Sequence, residues 1–180
     1  MNNVIEVSNA LHTVNGILKT RSIVIQQIRK RFNLNNRISF NRFEIDQNGS
    51  TAKIIAKGGH STLIDLTDVE AVIRAGAWSC FITKDKRKYF QASVKGKVMK
   101  LHSFIMRDEL AKYEGFTEET GLTLVVHHKD NDGSNNRRSN LEVITQNENK
   151  LLSAKNVNYD ELNRLKDIRF EFLESKGYKI

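Results

Sequence analysis

The sequence has no proline, one cysteine, and no apolar run that approaches the length of a membrane span. The lone Cys80 excludes an internal disulfide and any structural zinc site built from two or more thiolates. A metal ion in this chain must therefore be held by nitrogen and oxygen atoms. Without proline, turns fall to Gly, Asn and Asp. The opening MNNVIEVSNALH lacks the basic-then-apolar layout of a signal peptide, so a cytoplasmic protein with no membrane partner is expected. For a phage-encoded chain, that place is the host cytoplasm.

What is present describes a folded, basic protein. Hydrophobic residues make up 39% of the 180 and charged residues 28%, enough to bury one moderate core. A formal net charge of +8 favours a polyanionic partner through phosphate neutralisation and counterion release. Charge alone gives a direction only.

Along the chain the expected class is α+β, in four stretches: 1–48, 49–120, 121–155 and 156–180. The first reads as mostly helical, with Val4, Val7, Leu11, Val14 and Leu18 at helical steps. The β-branched run Ile23, Val24, Ile25 also suits a strand. Arg29, Lys30 and Arg31 cluster there, as a solvated helix face or a DNA-backbone contact; the sequence leaves both open. From Phe40 to Lys100 short strands are expected to form one small antiparallel sheet. They fall around Ala52–Ala56, Ser61–Asp65, Phe81–Thr83, Tyr89–Val94 and Val98–Leu101, with a short helix over Asp68–Ala77. Residues 101–120 read as helix. Tyr159–Lys176 forms an amphipathic helix with Leu162, Leu165, Ile168, Phe172 and Leu173 on one side, capped by Asn158 or Asp160 and ended by Gly177. Its near-neutral charge points to packing or to a homodimer contact.

The chemistry lies between Leu124 and Asn149. A short apolar strand ends on His127 and His128, a loop dense in Asn, Asp and Gly follows, and Asn140-Leu141-Glu142-Val143-Ile144 returns as a second strand before a polar helix start. Adjacent strand residues point to opposite faces, so the two histidines are expected to do separate jobs, one on a metal and one on a reacting water. Asn149 can add a carbonyl oxygen to the same cation. A cation with few protein ligands keeps positions for phosphate and water, as phosphodiester hydrolysis requires.

This stretch resembles the HNH endonucleases with the ββα-metal fold, especially those of phage and homing type. The likeness rests on His127-His128, on Asn140 thirteen residues after His127, and on Asn149 nine residues further. The loop residues Asp130-Asn131-Asp132 and Asn135 to Leu141 add to it, and looser likeness reaches back to Lys57-Gly58, Asp65, Asp68, Trp78, Tyr89 and Leu101-His102. The resemblance implies DNA cleavage with a divalent metal, Mg2+ or else Mn2+. His127 and Asn149 would be the metal ligands, His128 the general base, and Asn140 the residue holding the loop and the His128 imidazole. Lys129, Arg137 and Arg138 flank this site and are candidate phosphate contacts. Three departures stand out: His127 where a carboxylate is common, Asn149 where many members have His, and Ser103 where Arg is common. An inactive DNA-binding relative and a ribonuclease are the alternative readings. His102 and Trp78 are expected to be structural, Cys80 a small buried hydrophobe, and His12 and His60 carry no functional reading.

Overall fold

A computed structural model describes residues 41–46 and 49–179. The proposed DNA contacts Arg29, Lys30 and Arg31 and the helical pattern of the first forty residues lie outside them.

The described chain opens with strand β1 (Arg42–Ile45), not with helix, and pairs antiparallel with β2 (Thr51–Ile55) and β3 (Ser61–Asp65) in the order β1-β2-β3. The Asp46 carboxylate makes the first turn by accepting from the Ser50 and Thr51 amides at 2.9 and 3.2 Å. Alternation then buries Ala52, Ile54, Thr62 and Ile64 on one face. A 3-10 turn (Leu66–Asp68) leads into α1 (Val69–Ala75), whose Val69, Val72 and Ile73 cover that face.

Strands β4 (Ser79–Ile82), β5 (Lys88–Val94) and β6 (Lys97–Lys100) form a second antiparallel sheet. The expected single sheet is thus two, because α1 intervenes and each strand group pairs only within itself. Lys95 and Gly96, at φ 49° and 80°, make the tight β5–β6 hairpin turn.

The helix expected over residues 101–120 is three short ones: α2 (Leu101–Ile105), α3 (Arg107–Ala111) and α4 (Phe116–Thr120). Left-handed Gly115 starts the last and left-handed Gly121 ends it. Next come β7 (Leu124–His128), a long loop closed by a 3-10 turn (Arg138–Asn140), β8 (Leu141–Thr145) and α5 (Gln146–Leu152). β7 and β8 pair antiparallel, with His127 opposite Glu142 and His128 opposite Leu141. Thr145 and Glu148 form a reciprocal capping box at the start of α5. The chain closes with α6 (Tyr159–Ser175), which Asn158 caps through the Glu161 amide at 3.1 Å.

One core runs from Phe43 through Trp78 and Phe104 to Phe172. Rings of Tyr113, Phe116 and Phe172 pack at 5.1 to 6.3 Å and join α4 to α6. Leu162, Leu165 and Phe172 are buried within the chain, so the apolar face named as a dimer contact is already covered by its own fold. Arg169 lies on that face, 2% exposed, with its guanidinium on the fully buried Glu148 at 2.8 Å and on the Val143 carbonyl at 2.8 Å. Burial opposes the charge of Arg169, and the Glu148 carboxylate more than offsets this, holding its pKa above the ordinary value.

Candidate active site

The loop between β7 and β8 takes its shape from the sheets on either side. Its backbone pairs with β3: Leu63 donates to the Ser134 carbonyl at 2.9 Å and Asn136 donates to the Leu63 carbonyl at 2.8 Å. The Arg138 amide donates to Asp65 at 2.7 Å. On the other side Gly133 lies against β5, where an added Cβ would overlap the Lys88 carbonyl and crowd the Tyr89 ring. Only glycine permits that approach. Within the loop, Asp130 accepts from the Asn140 and Asn135 side chains at 2.8 and 2.6 Å. Burial opposes the charge of Asp130, and these bonds outweigh it, holding its pKa below the usual carboxylate range.

Both histidines line an open cleft of about 260 Å³, walled also by Tyr89, Lys100, His102, Ser103, Asn131 and Asn149. Their hydrogen-bond partners differ. His127 Nδ1 lies 2.9 Å from Asn149 Oδ1, so the last residue of the spacing pattern meets the first. His128 Nε2 lies 3.1 Å from Asn136 Oδ1. Asn140, expected to hold both the loop and the His128 ring, holds the loop alone. Its amide donates to Asp130 and to the Asn135 carbonyl, and its oxygen accepts from the Asp130 amide. Asn140 sits one 3-10 turn past the position that faces the imidazole, which falls to Asn136.

His102 is more deeply involved than its isolated place in the sequence indicated. It is buried, its ring meets His128 edge-on at 5.0 Å between centroids, and Tyr89 packs near both. Burial, then the neighbouring His128, pushes its pKa down to about 3. His128 is also lowered, by burial first, with the Asn136 hydrogen bond opposing. Two neutral imidazoles therefore form the floor of the cleft near pH 7. The signal for His102 was its position one residue into α2, directly after the strand that carries Lys100.

The loop cations are employed unequally. Arg138 forms a two-pronged ion pair with Asp68 at 2.7 to 3.2 Å, tying the loop to the 3-10 turn before α1. Arg137 reaches Asn135 at 3.2 Å, and Lys129 reaches the Ser139 carbonyl at 3.1 Å from an exposed position.

Among the described residues no cluster of three or more His, Cys, Asp or Glu converges as a metal-binding group. The donor pair that does converge is His127 Nδ1 and Asn149 Oδ1. They are 2.9 Å apart, an ordinary hydrogen-bond distance. One imidazole nitrogen and one amide oxygen are donors suited to a small hard cation, and they would hold it only by giving up the proton they share.

Residues 117–151 match the family model of the HNH endonucleases. That stretch takes in most of α4, then β7, the loop, β8 and all of α5 but its last residue, so this segment of an α+β protein is similar to the HNH nucleases. Nucleases of this family generally use a divalent metal. No curated protein and no solved structure matches the chain. Among the described residues no helix is long and apolar enough to cross a membrane.

Proposed function

We propose that the protein is an endonuclease that hydrolyses DNA phosphodiester bonds with Mg2+, or with Mn2+ in its place, in the manner of a phage or homing enzyme. The observation that carries this reading is the pairing, in one cleft, of a neutral and tethered His128 with the converging donors of His127 and Asn149. His127 and Asn149 would hold the cation, which polarises a phosphate oxygen and offsets charge on the leaving 3′-oxygen. His128, buried and neutral, accepts the proton of the attacking water. Asn140 keeps the loop closed under it by gripping Asp130. The oxygen and imidazole donors, free of thiolate, favour a hard cation. Since both side chains are neutral, the DNA phosphate would supply the negative charge, and metal affinity would rise with DNA bound.

The grip on DNA is read from the second sheet as much as from the loop. Between Lys84 and Lys100 the chain carries seven exposed cations, including Arg87 and Lys100 at the cleft, against the single carboxylate of Asp85. Arg137 and Lys129 extend this surface, whereas the Arg138 guanidinium is turned to Asp68. One such site is expected to cut one strand at a time, so a monomer would nick and a dimer could break both.

Supercoiled plasmid incubated with Mg2+ tests the reading. Wild type is expected to yield nicked circles with 5′-phosphate and 3′-hydroxyl ends. His128→Ala is expected to lose roughly 100-fold or more in rate, and His127→Ala and Asn149→Ala to require more metal. Full nicking by His128→Ala would remove it as the base, and faster cleavage of RNA than of duplex DNA would reassign the substrate.

A further inference from the structure

We propose that Asn136, itself set by Thr62 on the first sheet, is a positioning residue that fixes His128 as the tautomer protonated on Nε2 and leaves Nδ1 to accept the proton. The proposal deepens the nuclease reading and rests on His128 being the base.

The argument is one of donors and acceptors with a single consistent solution. The Ser134 carbonyl can only accept, so the Thr62 hydroxyl, 2.7 Å away, directs its proton there. The Thr62 oxygen is then an acceptor, and Asn136 Nδ2 donates to it at 2.7 Å. The second proton of that Nδ2 goes to the Gly133 carbonyl at 3.1 Å, another obligatory acceptor. Flipping the amide would set oxygen against oxygen at Gly133. Asn136 Oδ1 therefore faces His128 Nε2 at 3.1 Å and can only accept, so Nε2 carries the proton. Among the described residues nothing bonds Nδ1, and the ring stands in the cleft wall. Thr62 and Asn136 are each 1% exposed, so water does not replace either partner. A residue on β3, sixty-six positions before His128, thereby decides which nitrogen of the imidazole meets the attacking water.

Long-range proton–nitrogen NMR on the metal-free full chain reads the tautomer directly. A pyridine-like Nδ1 and a pyrrole-like Nε2 on His128 support the assignment; the reverse overturns it. Asn136→Ala is expected to mix the tautomers and to lower kcat for plasmid nicking on the order of 10- to 100-fold, with KM unchanged because neither side chain reaches the cleft surface. Thr62→Val is expected to act in the same direction more weakly, and Thr62→Ser, which keeps the hydroxyl, to restore both tautomer and rate. An unaltered His128 tautomer in Asn136→Ala overturns the proposal. Should that variant fail to fold, the wild-type spectrum and the Thr62 pair decide alone. The nuclease reading fails separately: full activity in His128→Ala removes the base whatever the tautomer, while a reversed tautomer in an enzyme that needs His128 removes only Asn136.

Discussion

The two sides of the β7–β8 hairpin are secured by opposite means. On the loop side, Thr62, Leu63, Asp65 and Asp68 hold residues 134–138 through short polar bonds, some to or from backbone and some between side chains. On the helix side, α5 is fixed by one buried ion pair, Glu148 with Arg169, set in the apolar contact between α5 and α6. Many directional bonds aim individual side chains, as at Asn136 and His128. A single buried pair aims a whole helix, and so places Asn149 against His127. The two halves of the site should therefore fail differently: the helix side all at once, the loop side by degrees.

The largest effect is expected on the helix side. Arg169→Met leaves Glu148, which has no exposed surface, without its counter-charge, and such a loss costs about 3–5 kcal/mol. For a chain of this size, thermal unfolding should fall by roughly 10 °C. The double variant Glu148→Gln with Arg169→Met should recover part of the loss, because burying two neutral groups avoids the uncompensated charge. Arg164→Ala, which breaks an exposed pair with Glu161 on the same helix, should change stability by less than about 1 kcal/mol. Equal losses in Arg169→Met and Arg164→Ala would mean that burial does not set the Glu148 pair apart, and that the helix side is not held by it.

On the loop side the corresponding cut is Arg138→Ala. Asp68, its side chain 6% exposed, loses its guanidinium partner, at an expected cost of about 1–3 kcal/mol in denaturant unfolding. DNA binding separates structural from phosphate-gripping roles. The salt dependence of binding should be nearly unchanged in Arg138→Ala, and should fall by about one unit of slope in Arg87→Ala or Lys100→Ala. A reduced slope in Arg138→Ala would return that residue to the DNA surface.

The same contrast explains what the sequence could tell. The spacing of His127, Asn140 and Asn149 was legible because a ββα unit places all three within one local segment. The helix over 159–175 was legible from its periodicity and its Asn158 cap. Contacts across the fold were not. Thr62 and Asn136 lie 74 positions apart, and neither residue type announces a partner at that distance. The family resemblance assigns the imidazole to Asn140, and spacing alone cannot tell which of several loop asparagines faces inward. Arg169 did leave a trace: it falls seven residues after Leu162 and three before Phe172, on the buried stripe, where a charge requires a partner. Gly115 likewise marks one break in the stretch 101–120, whereas the break at Met106 has no glycine or proline to signal it. The strand over 42–45 falls within the stretch from Phe40 where short strands are expected, although its four residues are too few to mark its bounds.

The smallest effect is expected at the floor of the cleft, where both sides meet. His102 is neutral when folded, with its pKa near 3, and in the unfolded chain it takes up a proton near pH 6.5. Between those values the unfolded state binds the extra proton, so stability falls as pH falls, beginning near 6.5 and ending near 3. Moving from pH 7.5 to 5.5 should cost about 1.4 kcal/mol from this residue. His128, shifted in the same direction, adds to the slope. His102→Phe keeps a ring against His128 and Tyr89 but cannot titrate. Urea midpoints at the two pH values should therefore draw closer together in the variant than in wild type. An equal fall in both proteins would mean that His102 takes up its proton without unfolding the site, and that the cleft floor admits water and charge more readily than its packing indicates.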